Sequence, residues 1–279
     1  MVGQEAANLL FSDTDLDFIT GEAAPDVPDR EELKRRLAED EEFRKTLIGD
    51  EKVLQRVLAD EEAFLHLSPA LYFEILLRNA ARDMEASTHT MERTGRQNIP
   101  VFDTDEVVGL LNHPQVLDYL AHMLASFTRI QSYVMPVRVR RGVRRRVRYN
   151  DMDIDSLKRF AAMADGEQLF RLYKRIADVC LYVTGVFPDY VLRDYRYPAS
   201  GQVRPQTSGR MRRSIEEYEE EGRRFYRLAE EHPVARTLNL SDTFGLLRRH
   251  FIAARKPLSF IARNYLYLRK GQLFGATVQ

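Results

Sequence analysis

Glu85 and His89 stand four residues apart in a stretch whose pattern predicts one long helix, with Glu92 on the same face and Glu74 three turns earlier. Carboxylates and an imidazole that share a helical face can bind a metal ion. Di-iron bundle proteins, however, repeat a Glu-x-x-His motif on two helices, and this sequence lacks that motif. Because Arg78 and Arg82 fall in the same stripe, an exposed or inter-helix row of salt bridges is the preferred interpretation, and no metal site is predicted.

A second polar group lies on the same predicted helix, where Asn79, Asp83 and Thr90 share a sector with apolar side chains. Polar groups in such a position must find hydrogen-bond partners, so they are expected to hold a neighbouring helix or an arginine. An enzyme built on Asp83, Glu85 and His89 is the weakest of the functional hypotheses.

The run Asp151-Met-Asp153-Ile-Asp155 begins like a calcium-binding loop. That loop needs glycine at its sixth position and glutamate at its twelfth, where this chain has Ser156 and Ala162. Acidic residues at the start of a helix cap it and interact favourably with its dipole. The run is therefore predicted to cap a helix, with Asp153 or Asp155 as the cap, and not to bind calcium.

Tyrosines and arginines lie close together in the second half of the chain, and this pattern has two interpretations. Aromatic rings beside guanidinium groups can stack on single-stranded bases. Tyrosines at helix ends are more often half-buried in the core, which is the preferred interpretation. The residues concerned are Tyr182, Tyr190, Tyr195, Tyr197, Tyr218 and Tyr226, with Arg193, Arg196 and Arg224.

Common catalytic and cofactor motifs are absent from the sequence. It has no Gly-x-Ser-x-Gly elbow, no Walker phosphate loop, no Gly-x-Gly-x-x-Gly turn and no His-Glu-x-x-His pair, which removes the usual hydrolase, kinase and dehydrogenase templates. Cys180 is the only cysteine, so intrachain disulfides and cysteine zinc sites are excluded. It lies on an apolar helical stripe, where a packed thiol is expected. No catalytic residue, metal or cofactor is predicted.

Residues 137–149 read Val-Arg-Val-Arg-Arg-Gly-Val-Arg-Arg-Arg-Val-Arg-Tyr. Alternation at period two predicts strands, and Gly142 predicts a turn between them. A three-residue loop over 141–143, which pairs Arg140 with Arg144, is preferred because it separates most arginines from the apolar residues on two faces. The predicted partner-binding or polyanion-binding face consists of Arg138, Arg140, Arg144, Arg146 and Arg148.

These arginines need a counter-charge, because like charges placed directly opposite each other destabilise a sheet. Residues 1–62 hold 18 Asp and Glu against 8 Lys and Arg, a net of −10, whereas residues 63–279 hold 24 against 34, a net of +10. The preferred partner is a protein: the acidic N-terminal region, its copy in a homo-oligomer, or another chain. Nucleic-acid phosphate is the alternative, and an anionic membrane surface is a further one.

Helix start and stop signals divide the rest of the chain. Residues 1–28 are predicted to be an extended or partly disordered acidic lead-in, and residues 196–210 a flexible loop. Gly185 and Gly222 lie inside predicted helices that are expected to pack antiparallel, with close backbone approach at the glycines. The predicted helices are 30–47, 51–66, 69–94, 103–111, 114–129, one from the 151–155 run to 164, then 166–187, 211–231, 241–254 and, after a break at Pro257, 258–269.

These patterns predict a mainly α-helical protein, a multi-helix bundle with one arginine-rich β-hairpin inserted around 133–149. Residues 29–279 are predicted to form a single helical domain, with a division near 130–150 as the alternative. No apolar run is long enough to span a membrane, and the first residues lack the pattern of a signal peptide, so a cytoplasmic protein without integral membrane association is expected. The expected role is non-enzymatic, either structural or regulatory, with docking through the arginine hairpin; the alternative is nucleic-acid binding through the same residues.

Overall fold

The structure of the protein, a computed structural model, is mainly helical. It describes residues 11–60, 62–87, 89–94, 97–101, 103–129, 132–140, 143–197, 200, 202–206, 211–267 and 273–274. Over residues 90–94, 97–100, 132–140 and 143–149 it describes the backbone alone.

Fifteen α-helices and four β-strands lie in this part of the chain. The helices are α1 (Asp13–Ala23), α2 (Arg30–Glu39), α3 (Glu41–Ile48), α4 (Glu51–Ala59), α5 (Ala63–His66), α6 (Pro69–Glu85), α7 (Thr104–Leu111), α8 (Pro114–Phe127), α9 (Ile154–Ala161), α10 (Gly166–Val186), α11 (Pro188–Tyr195), α12 (Ile215–Glu231), α13 (Pro233–Thr237), α14 (Ser241–Arg249) and α15 (Phe251–Asn264). The strands are β1 (Thr90–Thr94), β2 (Gln97–Val101), β3 (Ser132–Arg140) and β4 (Val143–Asn150).

Several helices begin where the sequence predicts, because a capping side chain satisfies backbone N–H groups that have no partner within the helix. Asp29 accepts from the amide of Glu32 at 3.0 Å at the start of α2. Ser68 caps α6, with Pro69 in its first turn. These two predicted starts are confirmed.

The N-terminal region is more finely divided than the sequence pattern predicts. Residues 13–23, predicted to be extended, form α1 behind a capping box in which the Ser12 side chain accepts from the amide of Asp15 and the Asp15 side chain accepts from the amide of Ser12. The predicted helix 30–47 is interrupted at Asp40, which caps a new helix by accepting from the amide of Phe43 at 3.0 Å. The predicted helix 51–66 ends at Ala59. Capping starts α1, whereas in the other two cases the carboxylate of Asp40 or Asp60 accepts from a nearby amide and competes with helix continuation.

The predicted helix 69–94 is wrong beyond Glu85. α6 ends there, and the following residues form an antiparallel pair of strands in which Thr90 pairs with Val101 and Thr94 with Gln97. The threonines of this segment are β-branched, which lowers their helix propensity and suits a strand. A second hairpin thus replaces the last turns of the predicted helix and the predicted loop 95–100.

Strands β3 and β4 pair antiparallel, but in a different register from the predicted one. Arg140 pairs with Val143 and Arg138 with Arg144, with a register shift between the two pairs. The predicted pairing of Arg140 with Arg144 is therefore wrong. A β-bulge in β3 takes up the one extra residue at this shift.

The C-terminal helices also differ in their boundaries. The break predicted at Pro257 lies instead at His250, between α14 and α15, and Pro257 is inside α15. The helix predicted from residue 211 begins at Ile215, because Ser214 and Glu217 form a capping box there.

The chain divides into two compact units. One takes the described residues up to Thr128 together with those from Lys256 onward, and the other takes those between Arg129 and Arg255. The first boundary lies beside the predicted hairpin, whereas the second, inside α15, has no signal in the sequence pattern. We name the first the acidic unit and the second the basic unit. Residues 129–255 hold 26 Lys and Arg against 16 Asp and Glu, a net charge of +10. The rest of the chain holds 16 Lys and Arg against 26 Asp and Glu, a net charge of −10.

In the acidic unit, α6 forms the core and packs against α7 and α8. Most of its apolar side chains are fully buried, and the ring of Phe73 stacks on that of Phe274 with centroids 5.8 Å apart. α1 packs against α2, α3 and α4. The buried Asp15 accepts from the amide of Ser68 at 2.8 Å, which ties α1 to the start of α6.

In the basic unit, α10 is central and packs against α9, α11, α12 and α13. Its contact with α12 is close at Gly222, whose backbone faces Cys180 and the ring of Phe251. The predicted packing of these two helices at Gly222 is confirmed. Among the described residues of both units, no helix has the length and apolar character needed to cross a membrane.

Candidate interaction surface

The polar stripe weighed as a metal site does not form on one helix. α6 ends at Glu85, so His89 lies beyond it, and the spacing of four residues no longer places the two side chains on one face. Both side chains are exposed. Within the part of the chain that the structure describes, no group of three or more His, Cys, Asp or Glu side chains could hold a metal ion. The side chain of Glu92 lies outside that part.

The salt-bridge interpretation of the same stripe is confirmed between helices by Arg82 and Glu51, 2.6 Å apart. A further pair, at Glu74, is buried within α6. This fully buried carboxylate accepts from Arg78 through Nε at 2.9 Å and Nη2 at 2.5 Å. Asn79 is also buried; its Nδ2 donates to the carbonyl of Ile75 at 2.8 Å and its Oδ1 accepts from Arg82. The polar stripe therefore has a structural role in positioning neighbouring groups.

Asp83 is contacted from the C-terminal end of the acidic unit. The hydroxyl of Tyr265 donates to Asp83 Oδ2 at 2.5 Å. Burial raises the pKa of Tyr265, and the hydrogen bond to the carboxylate raises it further. The side chain of Thr90, the third member of the predicted polar sector, lies outside the described residues.

The acidic run 151–155 caps a helix and forms ion pairs. Asp153 Oδ1 accepts from the amides of Asp155 and Ser156 at 3.1 and 3.3 Å at the start of α9. The predicted capping by Asp153 is confirmed.

Asp151, the first residue after β4, anchors the end of that strand to α10. Its Oδ2 accepts from Arg175 Nη2 at 2.5 Å, and its carbonyl accepts from Arg175 Nε at 3.4 Å. Both side chains are largely buried, with 9% of Asp151 and 16% of Arg175 exposed. This ion pair holds the base of the arginine hairpin in the basic unit.

Asp155 ties the start of α9 to the segment before α12. It forms a salt bridge with Arg213, and its Oδ2 accepts from the amide of Met211 at 3.1 Å. Burial opposes ionisation of this carboxyl, but the hydrogen bonds from Arg213 and Met211 outweigh burial, so the pKa of Asp155 is lowered from its usual value near 3.8.

This lowered pKa predicts a contribution to stability that depends on pH. Because the folded carboxyl has a lower pKa than the unfolded one, the contribution is present above the unfolded pKa and is lost as pH falls through the folded pKa. We expect the difference in free energy of unfolding between the wild type and Asp155→Asn to be constant at neutral pH and to shrink below about pH 4. Urea titrations of both proteins across this range test it, and a pH-independent difference would contradict it.

A buried polar network lies between α10 and α12. Asp178, 1% exposed, accepts from Lys174 Nζ at 2.7 Å and from the hydroxyl of Tyr226 at 3.0 Å. Cys180 is fully buried nearby, and burial raises the pKa of its thiol well above the usual range. A thiol of this kind is unreactive, as the sequence predicts.

The tyrosine-rich tract separates into buried and exposed members. Tyr182 and Tyr226 are buried, so the core interpretation is confirmed for these two. Tyr197 is 42% exposed, and the guanidinium of Arg204 lies over its ring, 4.8 Å from the centroid. Both belong to the predicted flexible loop 196–210, whose described residues include a β-bridge between Arg196 and Val203.

The five arginines of the predicted hairpin face lie on β3 and β4 in the basic unit, Arg138 and Arg140 on the first strand and Arg144, Arg146 and Arg148 on the second. Their backbones are described and their side chains are not. In the register of the structure Arg140 pairs with Val143, the neighbour of Arg144, so the predicted single face is wrong for Arg140. The exposure of the other four arginines stays a prediction.

Comparison with known proteins gives no relative. No family model matches the chain, and neither a curated protein nor a solved structure matches it significantly.

Sequence reasoning missed the two ion pairs that position the candidate surface. Asp151 and Arg175 are 24 residues apart, and Asp155 and Arg213 are 58 apart. A single sequence carries no signal for pairing over such separations. The loop around Tyr197 did carry a sequence signal, namely alternating tyrosine and arginine. The sequence alone could not show which of these tyrosines is exposed.

Proposed function

We propose that this protein is a non-enzymatic helical docking protein, structural or regulatory, whose arginine hairpin engages an acidic protein surface on a partner or in a homo-oligomer. The residues that make the contact are Arg138, Arg144, Arg146 and Arg148, which share one face in the register of β3 and β4, with Arg140 beside them at the end of β3.

The register of the hairpin carries this proposal. Arg138 pairs directly with Arg144, and the next positions of β4 add Arg145 and Arg146. Opposed like charges destabilise a sheet, and an isolated two-stranded sheet is marginally stable in water. A carboxylate-bearing surface offsets both costs, because a guanidinium group binds carboxylates through two parallel hydrogen bonds.

The ion pairs at the hairpin base support a docking role. Asp151 with Arg175 and Asp155 with Arg213 fix the chain immediately after β4. A hairpin that is held at its base loses less conformational freedom on binding, which favours affinity.

Nucleic-acid binding is the second candidate, and the exposed Tyr197 with the Arg204 guanidinium over its ring favours it. Such a pair can stack on an unpaired base. The arginines of the hairpin would then contact phosphates, with binding that weakens steeply as salt rises.

The test compares two variants that lose the same charge. In the first, the five hairpin arginines become threonine, which suits a strand; in the second, five exposed helical arginines become glutamine. The control set is Arg171, Arg224, Arg227, Arg236 and Arg263. Circular dichroism checks that both variants fold.

Fluorescence anisotropy then measures binding of a labelled polyglutamate peptide and of DNA and RNA oligonucleotides at about 50 and 200 mM salt. We expect the wild type and the control variant to bind polyglutamate and the hairpin variant to lose at least about tenfold in affinity. Tighter binding of oligonucleotides, lost in the hairpin variant alone, would replace docking by the second candidate. Equal binding by both variants would overturn the role of the hairpin.

A further inference from the structure

Several described residues between α11 and α12 in the basic unit contact one another. The amide of Tyr197 donates to the carbonyl of Gln202 at 2.9 Å, and the amide of Arg204 donates to the carbonyl of Tyr195 at 2.9 Å. The guanidinium of Arg204 stacks over Tyr197 and its Nε donates to the carbonyl of Arg196 at 3.5 Å. These contacts hold a tyrosine and an arginine in a fixed arrangement at the surface.

Large apolar side chains are exposed on this segment without an evident structural reason. Tyr197 is 42% exposed, Val203 50% and Met211 60%. Residues 195–213 also contain five arginines and no acidic residue. Tyrosine, methionine and arginine are enriched at protein interfaces, whereas lysine, aspartate and glutamate are depleted there. The segment therefore has the composition of an interface.

The described residues before α12 are tied to one another and to the start of α9. Arg212 contacts the carbonyl of Pro205, and its amide donates to Gln206 Oε1 at 2.8 Å. Met211 and Arg213 bind Asp155, which follows the last residue of β4 by five positions. The end of the loop is thus tied to the start of α9, the helix that follows the hairpin in the chain.

The acidic unit contains a segment of complementary charge. Residues 11–29 hold six carboxylates and neither lysine nor arginine. Asp15 is buried, and Asp17 and Glu22 form ion pairs with Lys34 and Arg56, so the other three are the candidates for a partner's arginines. Asp13, Asp26 and Asp29 are exposed, and Val27 between the last two is 37% exposed. This segment offers both carboxylates for the arginines and an apolar side chain for contact with Tyr197.

We propose that the described residues of this segment, 195–197, 202–206 and 211–213, form a second contact in addition to the hairpin, and that together they bind the acidic segment 11–29 of a second copy of this chain. The proposal rests on the proposed docking function and names its partner. A reciprocal pair of such contacts closes a symmetric dimer, in which each copy supplies one basic and one acidic surface.

Analytical ultracentrifugation of the full chain over a concentration series tests the dimer. We expect Tyr197→Ala with Arg204→Gln to weaken self-association at least about tenfold. The matched control is Tyr267→Ala with Arg171→Gln, which removes a tyrosine and an arginine that are each 75% exposed elsewhere. The control is expected to associate like the wild type, and association is expected to weaken with salt.

A charge-exchange experiment identifies the partner segment. Asp13→Lys with Asp26→Lys is expected to be monomeric, and so is Arg196→Glu with Arg204→Glu. Mixing the two variants is expected to restore association, because each carries the surface that the other can bind. Failure of the mixture to associate would overturn the second copy as partner.

The outcomes separate this inference from the proposed function. Loss of association in the five-threonine hairpin variant, without loss in the Tyr197 and Arg204 variant, would leave the docking function standing and overturn the second contact. A wild type that is monomeric at all concentrations, yet binds polyglutamate through the hairpin, would retain docking and overturn self-association. A monomer that binds neither polyglutamate nor itself would overturn both.

Discussion

Replacement of Gly222 by alanine is expected to destabilise the basic unit by about 1–3 kcal/mol, the usual cost of adding a methyl group to a well-packed contact. A Cβ atom at this position would lie 2.4 Å from Cε2 and 2.5 Å from Cζ of Phe251, and 3.1 Å from the Cβ of Cys180. All of these separations are shorter than an ordinary carbon contact of about 3.5 Å.

The neighbours of Gly222 have little room to move. Phe251 is fully buried, and its ring lies 6.2 Å from that of Tyr226, centroid to centroid. Cys180 is also fully buried on α10. The added methyl group must therefore push α12 away from α10 or displace Phe251. The free-energy cost of either change is larger than the gain of about 1 kcal/mol that alanine gives over glycine inside a helix.

Gly109 supplies the matched control for this prediction. It is exposed within α7, and a Cβ there would meet no atom within 4 Å. Gly109→Ala is expected to stabilise the protein by about 0.5–1 kcal/mol. Urea unfolding of both variants measures the two effects. A Gly222→Ala protein as stable as the wild type would show that the helices can separate without cost.

Gly222 also shows which parts of this fold a single sequence predicts. Its place among apolar residues at helical spacing predicts a close helix contact, because that pattern is local. Helix starts are predictable for the same reason, since Asp29 and Ser68 act on amides three residues away. The helix end at Glu85 cannot be predicted in this way, because the residues that follow it form a strand only when they pair with a partner strand.

The candidate surface is also only partly predictable from the sequence. The arginine-rich strands are visible in the sequence because their alternation is local, but the register is not. Arg140 pairs with Val143 only because a bulge shifts β3 by one residue, and no residue in the run marks that position. The ion pairs of Asp151 and Asp155 join residues far apart in the chain, so their existence depends on the packing of α9 against α10.

Removal of the Asp151 carboxylate is expected to cost about 3–5 kcal/mol, because it leaves Arg175 buried without its counter-charge. The exposed pair of Glu167 and Arg171 is the control. Both pairs have the same N to O distance of 2.5 Å, but the side chains of the control pair are 63% and 75% exposed against 9% and 16% for Asp151 and Arg175. Glu167→Ala is therefore expected to cost less than about 1 kcal/mol.

A double-mutant cycle separates the loss of the ion pair from the cost of an unpaired charge. Asp151→Ala with Arg175→Met is expected to destabilise less than Asp151→Ala alone, because the double variant buries no uncompensated guanidinium. Urea unfolding of the single and double variants measures this. If Asp151→Ala costs no more than Glu167→Ala, then Arg175 reaches water or another carboxylate once Asp151 is gone, and the base of the hairpin is not held by this pair. Because Asp151 directly follows β4, the double variant should also bind polyglutamate more weakly than the wild type, even where its stability is largely restored.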